Sequence, residues 1–410
     1  MHRPPPEHSD GFWNRTGDCA SRRPAFKNIR RKDGGSMTDR IVIVCGGTGG
    51  HFYPGLSIAV EHMRNGGHPK IFLTGRNAGQ QAQIANGQGI ESKILPSSPA
   101  PKGLRGKISF ILHSLKCILE SRKKLKAVKP DAVLSMGSFH SAAPSIAAWT
   151  LGIPLFIHDG NARIGKANLF LSRFAHHMAL SFPPVNDSGI RCKWTVAGMP
   201  MRHQIAGCSL DKAEAVKLLN SKTGSNFSAG LPIILVFGGS QGAEGINQRM
   251  PEAMKMQGDE KFQLIHISGT GNRENLEKAY SGAGFAYKII ENTGEMEILY
   301  SASDLVICRS GGSTIAELAI FAKFAILVPY PHATDNHQDD NANHYCSCGA
   351  GIKFPESELS VNKLASTIAS FLENPAEFAE KGLCARTLAK PNAAAEILKL
   401  IEKFVDKVEM

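Results

Sequence analysis

Ile41-Val42-Ile43-Val44-Cys45-Gly46-Gly47-Thr48-Gly49-Gly50-His51 is an apolar run that empties into a glycine-rich turn. Far along the chain the pattern returns as Ile233-Ile234-Leu235-Val236-Phe237-Gly238-Gly239-Ser240-Gln241-Gly242-Ala243. Each reads as a buried parallel strand, a tight turn and a helix start. That geometry aims backbone N–H groups and the positive helix end at an anion. Its double occurrence predicts an α/β protein of two Rossmann-like domains with parallel sheets facing a central cleft.

The surroundings repeat the alternation of strand and helix that a parallel sheet needs. After the first turn a helix is expected over about 54–65, then strands at 70–73, from Ala132, and at 154–157. In the second half strands are expected at 233–237, 263–267, 305–308 and 325–328. The chain of 410 residues favours two domains, with 42% hydrophobic and 20% charged residues suiting an ordinary globular protein. The expected division is 1–36 as a disordered or spurious extension, 37–198 as the first domain and 199–392 as the second. The segment 197–212 is the linker. A last helix, about 393–408, follows Pro391.

Nine cysteines without a CxxC pair point to incidental thiols in a reducing compartment rather than a zinc site. The net charge of +11 is localised. Residues 1–36 carry eight Lys/Arg against four Asp/Glu, and residues 102–130 carry nine against Glu120 alone. Such a balance suits nucleic acid, anionic lipid or an acidic substrate. No zinc-finger, RRM or KH signature supports nucleic acid. Residues 1–36 lack an apolar signal-peptide core, and no stretch makes a convincing membrane span, so a cytoplasmic protein is expected.

A dinucleotide fingerprint fails at Phe52, which stands where the third glycine belongs, and at Thr74-Gly75-Arg76, where no carboxylate awaits a ribose. Neither turn is a Walker A loop. A nucleotide sugar fits better. Ser240, Gln241 and Gly242 offer a hydroxyl, an amide and backbone N–H groups to a diphosphate. Cys308-Arg309-Ser310-Gly311-Gly312-Ser313-Thr314-Ile315-Ala316-Glu317 is a second strand end, glycine turn and helix start. Glu317 there either accepts hydrogen bonds from a ribose diol or offsets the helix dipole. Asp335-Asn336-His337-Gln338 suits sugar hydroxyls, or is a solvated loop.

The set GGTGGH (46–51), LRGK (104–107), GGSQGA (238–243), CRSGGSTIAE (308–317) and DNHQ with Asn341-Ala342 closely resembles the MurG family. These are bacterial UDP-N-acetylglucosamine–N-acetylmuramyl-(pentapeptide) pyrophosphoryl-undecaprenol N-acetylglucosamine transferases. The resemblance runs from about Ile41 to the C-terminus. It implies a GT-B fold whose C-terminal helix returns to the first domain. It implies transfer of N-acetylglucosamine from UDP-GlcNAc to the muramyl 4-hydroxyl of lipid I, giving lipid II with inversion, in peptidoglycan synthesis. The implied setting is the cytoplasmic face of the inner membrane, without a cofactor.

Carried over by motif, Ser240 and its neighbours meet the diphosphate. Gly312, Ser313, Thr314, Ile315, Ala316 and Glu317 hold phosphate and ribose. Gln338 faces the sugar, Arg202 sits at the domain junction and Thr293 lies near uracil. Thr48, Gly49, Gly50 and Asn161 complete the pocket from the first domain. His51 is the leading base, and its alternative role is to brace the turn. Asp159 is the rival base, or the group that orients His51. No Asp-x-Asp motif lies by the sugar site, so no protein metal ligand is expected.

Three departures fall on the acceptor and hinge side. His158-Asp159-Gly160-Asn161 replaces the family's His-Glu-Gln-Asn, Gly137-Ser138-Phe139 its Gly-Gly-Tyr, and Gly198-Met199-Pro200 its Gly-Asn-Pro. They leave room for a GT-B enzyme acting on another lipid such as diacylglycerol, for a UDP-GlcNAc epimerase, or for a non-catalytic UDP-sugar binder. Between Lys107 and Lys126, Ile108, Ile111, Leu112, Leu115, Ile118 and Leu119 recur at helical spacing among Lys116, Arg122, Lys123, Lys124 and Lys126. That helix either packs on its own sheet or docks on anionic lipid. Trp149 matches the family's membrane-facing patch, or is core.

Overall fold

The computed structural model describes residues 38–97, 103–239, 242–258 and 261–409. Residues 1–36, Ser240 and Gln241 lie outside the described residues, as do the side chains of Leu104–Lys107, Ile108, Ile111 and Leu112. The first half runs β1 (Ile41–Gly46), α1 (Gly49–Arg64), β2 (Lys70–Thr74), α2 (Ala78–Gly87), β3 (Glu91–Ile94), α3 (Gly103–Val128), β4 (Ala132–Ser135), α4 (Ala142–Thr150), β5 (Leu155–Asp159), α5 (Lys166–Leu171), β6 (His177–Leu180) and β7 (Lys193–Val196). The second runs α6 (His203–Ala206), α7 (Lys212–Thr223), β8 (Ile233–Phe237), α8 (Glu244–Lys255), β9 (Gln263–Ile267), α9 (Arg273–Tyr280), β10 (Ala286–Ile290), α10 (Met296–Ala302), β11 (Leu305–Cys308), α11 (Gly312–Ile320), β12 (Phe324–Leu327), α12 (His337–Cys346), β13 (Gly351–Lys353), α13 (Val361–Glu373), α14 (Pro375–Leu383) and α15 (Ala393–Glu409).

The strands form two wholly parallel sheets, ordered β3-β2-β1-β4-β5-β6-β7 and β10-β9-β8-β11-β12-β13. Both start at the centre and reverse direction beside their first strand. The crevice for a ligand therefore opens beyond β1/β4 and β8/β11. The central strands are apolar at nearly every position because helices cover both faces. The two domains are those expected for a GT-B fold.

Details differ from the expected elements. α1 starts at Gly49 rather than near residue 54, with Pro54 inside it. The Phe52 N–H already bonds the Thr48 carbonyl at 3.2 Å, so the proline removes just one bond of the second turn. β5 runs on to Asp159, β12 begins at Phe324, and the linker contains the single turn of α6. The edge strands β3, β7, β10 and β13 are partly exposed along their length.

α15 lies against the first domain. Ile397, Leu398, Ile401 and Val405 share a core with Ile41, Ile43, Phe52 and Phe156. The junction is packed as well. Ala162, Phe182, Met199 and Met201 belong to one buried cluster with Leu235, Ile315 and Leu327 of the second sheet's layer. On α3, Leu115 and Leu119 are more than half exposed, whereas Cys117 and Leu125 are buried. Arg122 bonds the Thr150 hydroxyl and Lys124 bonds the Ile94 carbonyl at 2.6 Å, tying α3 to its own domain. Trp149 packs its ring on Phe174, with centroids 4.8 Å apart. Among the described residues, no helix is long and apolar enough to cross a membrane.

Candidate active site

The first turn leaves β1 through Gly46 and Gly47, the latter with φ of 77°, which only glycine adopts at little cost. A side chain at Gly46 would meet the Thr74 hydroxyl at 2.7 Å. Thr48, Gly49 and Gly50 are exposed at the start of α1, and the first α1 N–H groups have no backbone acceptor within the described residues. They are the donors an anion would use. His51 stands behind them with its Nδ1 3.1 Å from Thr48 Oγ1. Burial, and then the charge of His337 facing it, depress its pKa to about 4. The imidazole is therefore neutral at pH 7.

Asp159 ends β5. Its Oδ1 accepts from the Asn161 N–H at 3.1 Å, and its Oδ2 accepts from the Gly165 N–H at 3.0 Å and from Asn168 Nδ2 at 2.8 Å. Burial raises its pKa against these bonds. Both oxygens thus hold the loop after β5, and the hydrogen bond made by His51 goes to Thr48. The loop in turn meets the second domain. Asn341 Nδ2 donates to Asn161 Oδ1 at 3.1 Å, and its Oδ1 accepts from the Ala162 N–H at 2.9 Å. Arg163 Nε donates to Asp340 Oδ2 at 2.6 Å, and Lys166 Nζ to Asp335 Oδ1 at 2.6 Å.

In the second domain, Gly311 caps α11 and Ile315 N–H makes its first backbone bond, leaving Gly312, Ser313 and Thr314 N–H groups without a backbone acceptor among the described residues. Ile315 and Ala316 are buried and seat the helix. A Cβ on Gly312 would stand 1.9 Å from the Gly160 carbonyl oxygen, so only glycine lets the two domains approach there. Glu317 accepts from the Tyr300 hydroxyl at 2.9 Å. Burial lifts its pKa to about 7, although Tyr300 and the nearby Arg202 charge oppose the rise. Gly242 has φ of 78°, and a Cβ on it would meet the Ser268 carbonyl at 2.4 Å.

Arg202 bridges the domains. It donates to the Gly294 carbonyl at 2.6 Å and lies over the Tyr53 ring of α1 at 5.8 Å. Thr293 Oγ1, next door, accepts from the Glu295 N–H at 3.0 Å. Gln338 Oε1 accepts from the Tyr330 N–H at 2.9 Å, which leaves its amide N–H₂ to donate. Between the domains lies a cavity of about 740 Å³, with His51, His140, Arg163, Lys166 and His337 among its polar lining. Ile118, Phe139, Ile146 and Phe170 supply an apolar wall.

Two of the family departures touch each other. The Met199 methyl stands 3.0 Å from where a Cβ at Gly160 would be, and 3.2 Å from that of Gly312. The third strains the backbone. Ser138 adopts φ 77°, ψ 147°, and its hydroxyl accepts from the His140 N–H at 3.2 Å. Among the described residues, no group of His, Cys, Asp and Glu is arranged to hold a metal ion. Sequence reasoning passed over Tyr300, Arg163 and Asp340. Their partners lie far off in the chain, and no local spacing marks them.

Residues 41–180 match the glycosyltransferase family 28 N-terminal domain and residues 233–397 the C-terminal domain of the same family. A UDP-N-acetylglucosamine–N-acetylmuramyl-(pentapeptide) pyrophosphoryl-undecaprenol N-acetylglucosamine transferase from Myxococcus xanthus is 34% identical over 371 residues, covering 87% of this chain and 91% of that protein. The chain belongs to the MurG family. A Citrifermentans bemidjiense relative of the same name is 33% identical, with 88% and 98% covered. The crystal structure of Acinetobacter baumannii MurG superposes with a TM-score of 0.71 at 26% identity, covering 89% of this chain and 99% of that one. A UDP-GlcNAc 2-epimerase from Neisseria meningitidis, bound to UDP-GlcNAc, has a TM-score of 0.63 at 14% identity, with 89% and 100% covered. At that identity the likeness to the epimerase is one of fold. This MurG-family chain is thus a glycosyltransferase with two Rossmann-like domains.

Proposed function

We propose that this chain transfers N-acetylglucosamine from UDP-GlcNAc to the muramyl 4-hydroxyl of a lipid-linked, diphosphate-bearing acceptor (lipid I), inverting the anomeric carbon and giving lipid II. The observation that carries the reading is a pair of donor-rich helix starts, one in each domain, with Gly312 of the second set against Gly160 of the first domain and a neutral histidine on the lining of the interdomain cavity. The Gly312, Ser313 and Thr314 N–H groups, with Ser240, Gln241 and Gly242, take the donor diphosphate. Glu317 takes the ribose diol, Gln338 the sugar and the Thr293 segment the uracil.

In the tautomer whose Nδ1–H donates to Thr48, His51 Nε2 accepts the proton of the acceptor hydroxyl. The hydroxyl oxygen forms its bond to the anomeric carbon as the bond to the UDP oxygen breaks, and the electron pair leaves on the diphosphate. Fixed N–H donors stabilise that charge as it grows. Asp159 is a positioning residue in this reading, because it fixes the loop that presents Asn161.

α3 offers the membrane contact. Leu115 and Leu119 are exposed one turn apart, beside the exposed Lys116, Lys123 and Lys126. Each lysine near an anionic surface contributes ~1 kcal/mol. The resulting placement is peripheral, on the cytoplasmic face of the inner membrane. The deciding assay incubates the purified chain with UDP-GlcNAc and lipid I. Lipid II formation is expected, whereas transfer to diacylglycerol alone, free-sugar release, or binding without transfer overturns the reading.

A further inference from the structure

Arg163 and Lys166 are the only Lys or Arg residues that line the interdomain cavity among the described residues. Both are already spoken for by the other domain, through Asp340 and Asp335. The engagement is partial. Of the five donors on Arg163, Nε alone bonds a described residue, and its side chain is 38% exposed. Lys166 is more open still, at 80%. Asp335 also raises the Arg163 pKa from a greater distance than Asp340, so the two pairs form one group of alternating charge.

The neighbouring loop is built tensely. Asp335 and Asn336 take φ of 52° and 56°, consecutive left-handed positions that Asp and Asn tolerate better than most residues. The turn holds Asp335 toward Lys166. Beside it, the Asn341 clasp on Asn161 and Ala162 uses neutral groups and survives any change of ionic partner.

We infer that Arg163 and Lys166 are the acceptor's diphosphate subsite, and that they fill it by exchanging the Asp340 and Asp335 carboxylates for phosphate oxygens. The inference rests on the proposed acceptor bearing a diphosphate. Half-exposed ion pairs are weakly held. A guanidinium fork matches a diphosphate in shape, and the two charges of a doubly esterified diphosphate equal those of the two carboxylates displaced, so the exchange keeps the charge balance while gaining bidentate geometry. The freed aspartates then loosen the ionic half of the domain contact, while the Asn341 clasp keeps the loop in place. Acceptor capture and interdomain tightness are thereby coupled in one set of four side chains.

The test compares R163Q and D340N in the full-length chain. With UDP-GlcNAc saturating, R163Q raises the acceptor KM about tenfold, the loss expected for one charged hydrogen bond, and leaves the UDP-GlcNAc KM unchanged. D340N releases Arg163 and lowers the acceptor KM or leaves it as it was. A plain interdomain latch gives the opposite pattern: R163Q and D340N shift both KM values alike, and the double variant matches either single one. A second measurement needs no transfer. Inorganic pyrophosphate is titrated into wild type and R163Q with UDP saturating the donor side. Arg163-dependent binding supports the subsite even if lipid I is not the acceptor, which would sink the proposed function alone. Binding that is equal in the two proteins, or absent from both, overturns the subsite.

Discussion

Replacing Glu317 by Gln should make the protein's stability less sensitive to pH, in a direction that the burial of this carboxyl dictates. Its pKa is about 7 in the folded chain against an ordinary 4.5. Below pH 4.5 the carboxyl is neutral folded and unfolded, and it costs nothing. Between 4.5 and 7 the unfolded chain releases a proton that the folded chain keeps, so stability falls as pH rises. Above 7 the loss is complete. A shift of this size corresponds to about 3 kcal/mol. Gln keeps an oxygen to accept from the Tyr300 hydroxyl and has no proton to lose. Any cost of its extra N–H₂ is the same at every pH and cancels from the comparison.

Melting temperatures of wild type and E317Q, followed from pH 4.5 to 8, are the assay. The variant should gain on wild type by roughly 6–12 °C across that window, for a domain of this size. Two melting curves that stay parallel in pH would refute the claim that Glu317 is an ionisable group under desolvation. A companion measurement reads the ligand. If ribose hydroxyls donate to the carboxylate, UDP binding near pH 6 releases a proton, and the calorimetric heat varies with the buffer's ionisation enthalpy. E317Q binds more weakly and shows no such variation.

His51→Ala should lower turnover about 10²- to 10⁴-fold while UDP affinity stays nearly unchanged, and steady-state kinetics with UDP titration checks both. Because burial holds His51 near a pKa of about 4, the acid limb of the wild-type rate should fall near pH 4–5 rather than at the usual 6.5. Ser138→Gly should be more stable than Ser138→Ala by about 1–3 kcal/mol, reversing the usual order, since both lose the hydroxyl and only glycine relieves the backbone. Thermal melts of the two variants decide it. Gly160→Gln should cost about 1–3 kcal/mol by overpacking against Met199, and Met199→Asn in the same chain should recover at least half of that. Additive melting shifts would show the two positions to be independent.

The centre of each sheet was readable because a strand covered on both faces must be apolar throughout. β8, β9 and β11 fall on the expected runs of 233–237, 263–267 and 305–308. The edges were not readable for the same reason. Glu91-Ser92-Lys93-Ile94 and Ala286-Tyr287-Lys288-Ile289-Ile290 face water on part of their surface, so their composition resembles that of loops. At the site, glycine marks a turn from the chain alone, since a positive φ leaves few other choices. A partner does not show in the chain. Tyr300 meets Glu317 from α10, and Arg163 meets Asp340 across most of the second domain. The first pair comes from two helices packing within the second domain and the other from how the two domains meet, and no period within any of these segments encodes that.

The departures from the MurG pattern are better understood as contacts than as losses. Gly160 and Met199 occupy one volume: the shorter residue makes room, and the longer side chain fills it against Gly312. The Met199 sulfur also takes up the Ser181 hydroxyl at 3.7 Å. Asp159, one carbon shorter than the family's Glu, reaches its own loop and satisfies both oxygens there. This carboxylate is thus engaged within its own segment, while Asn161, Arg163 and Lys166 each meet the second domain. A Glu at 159 would have to remake the three hydrogen bonds to Asn161, Gly165 and Asn168 around a longer side chain, so a change at this one position acts on the whole segment that meets the second domain.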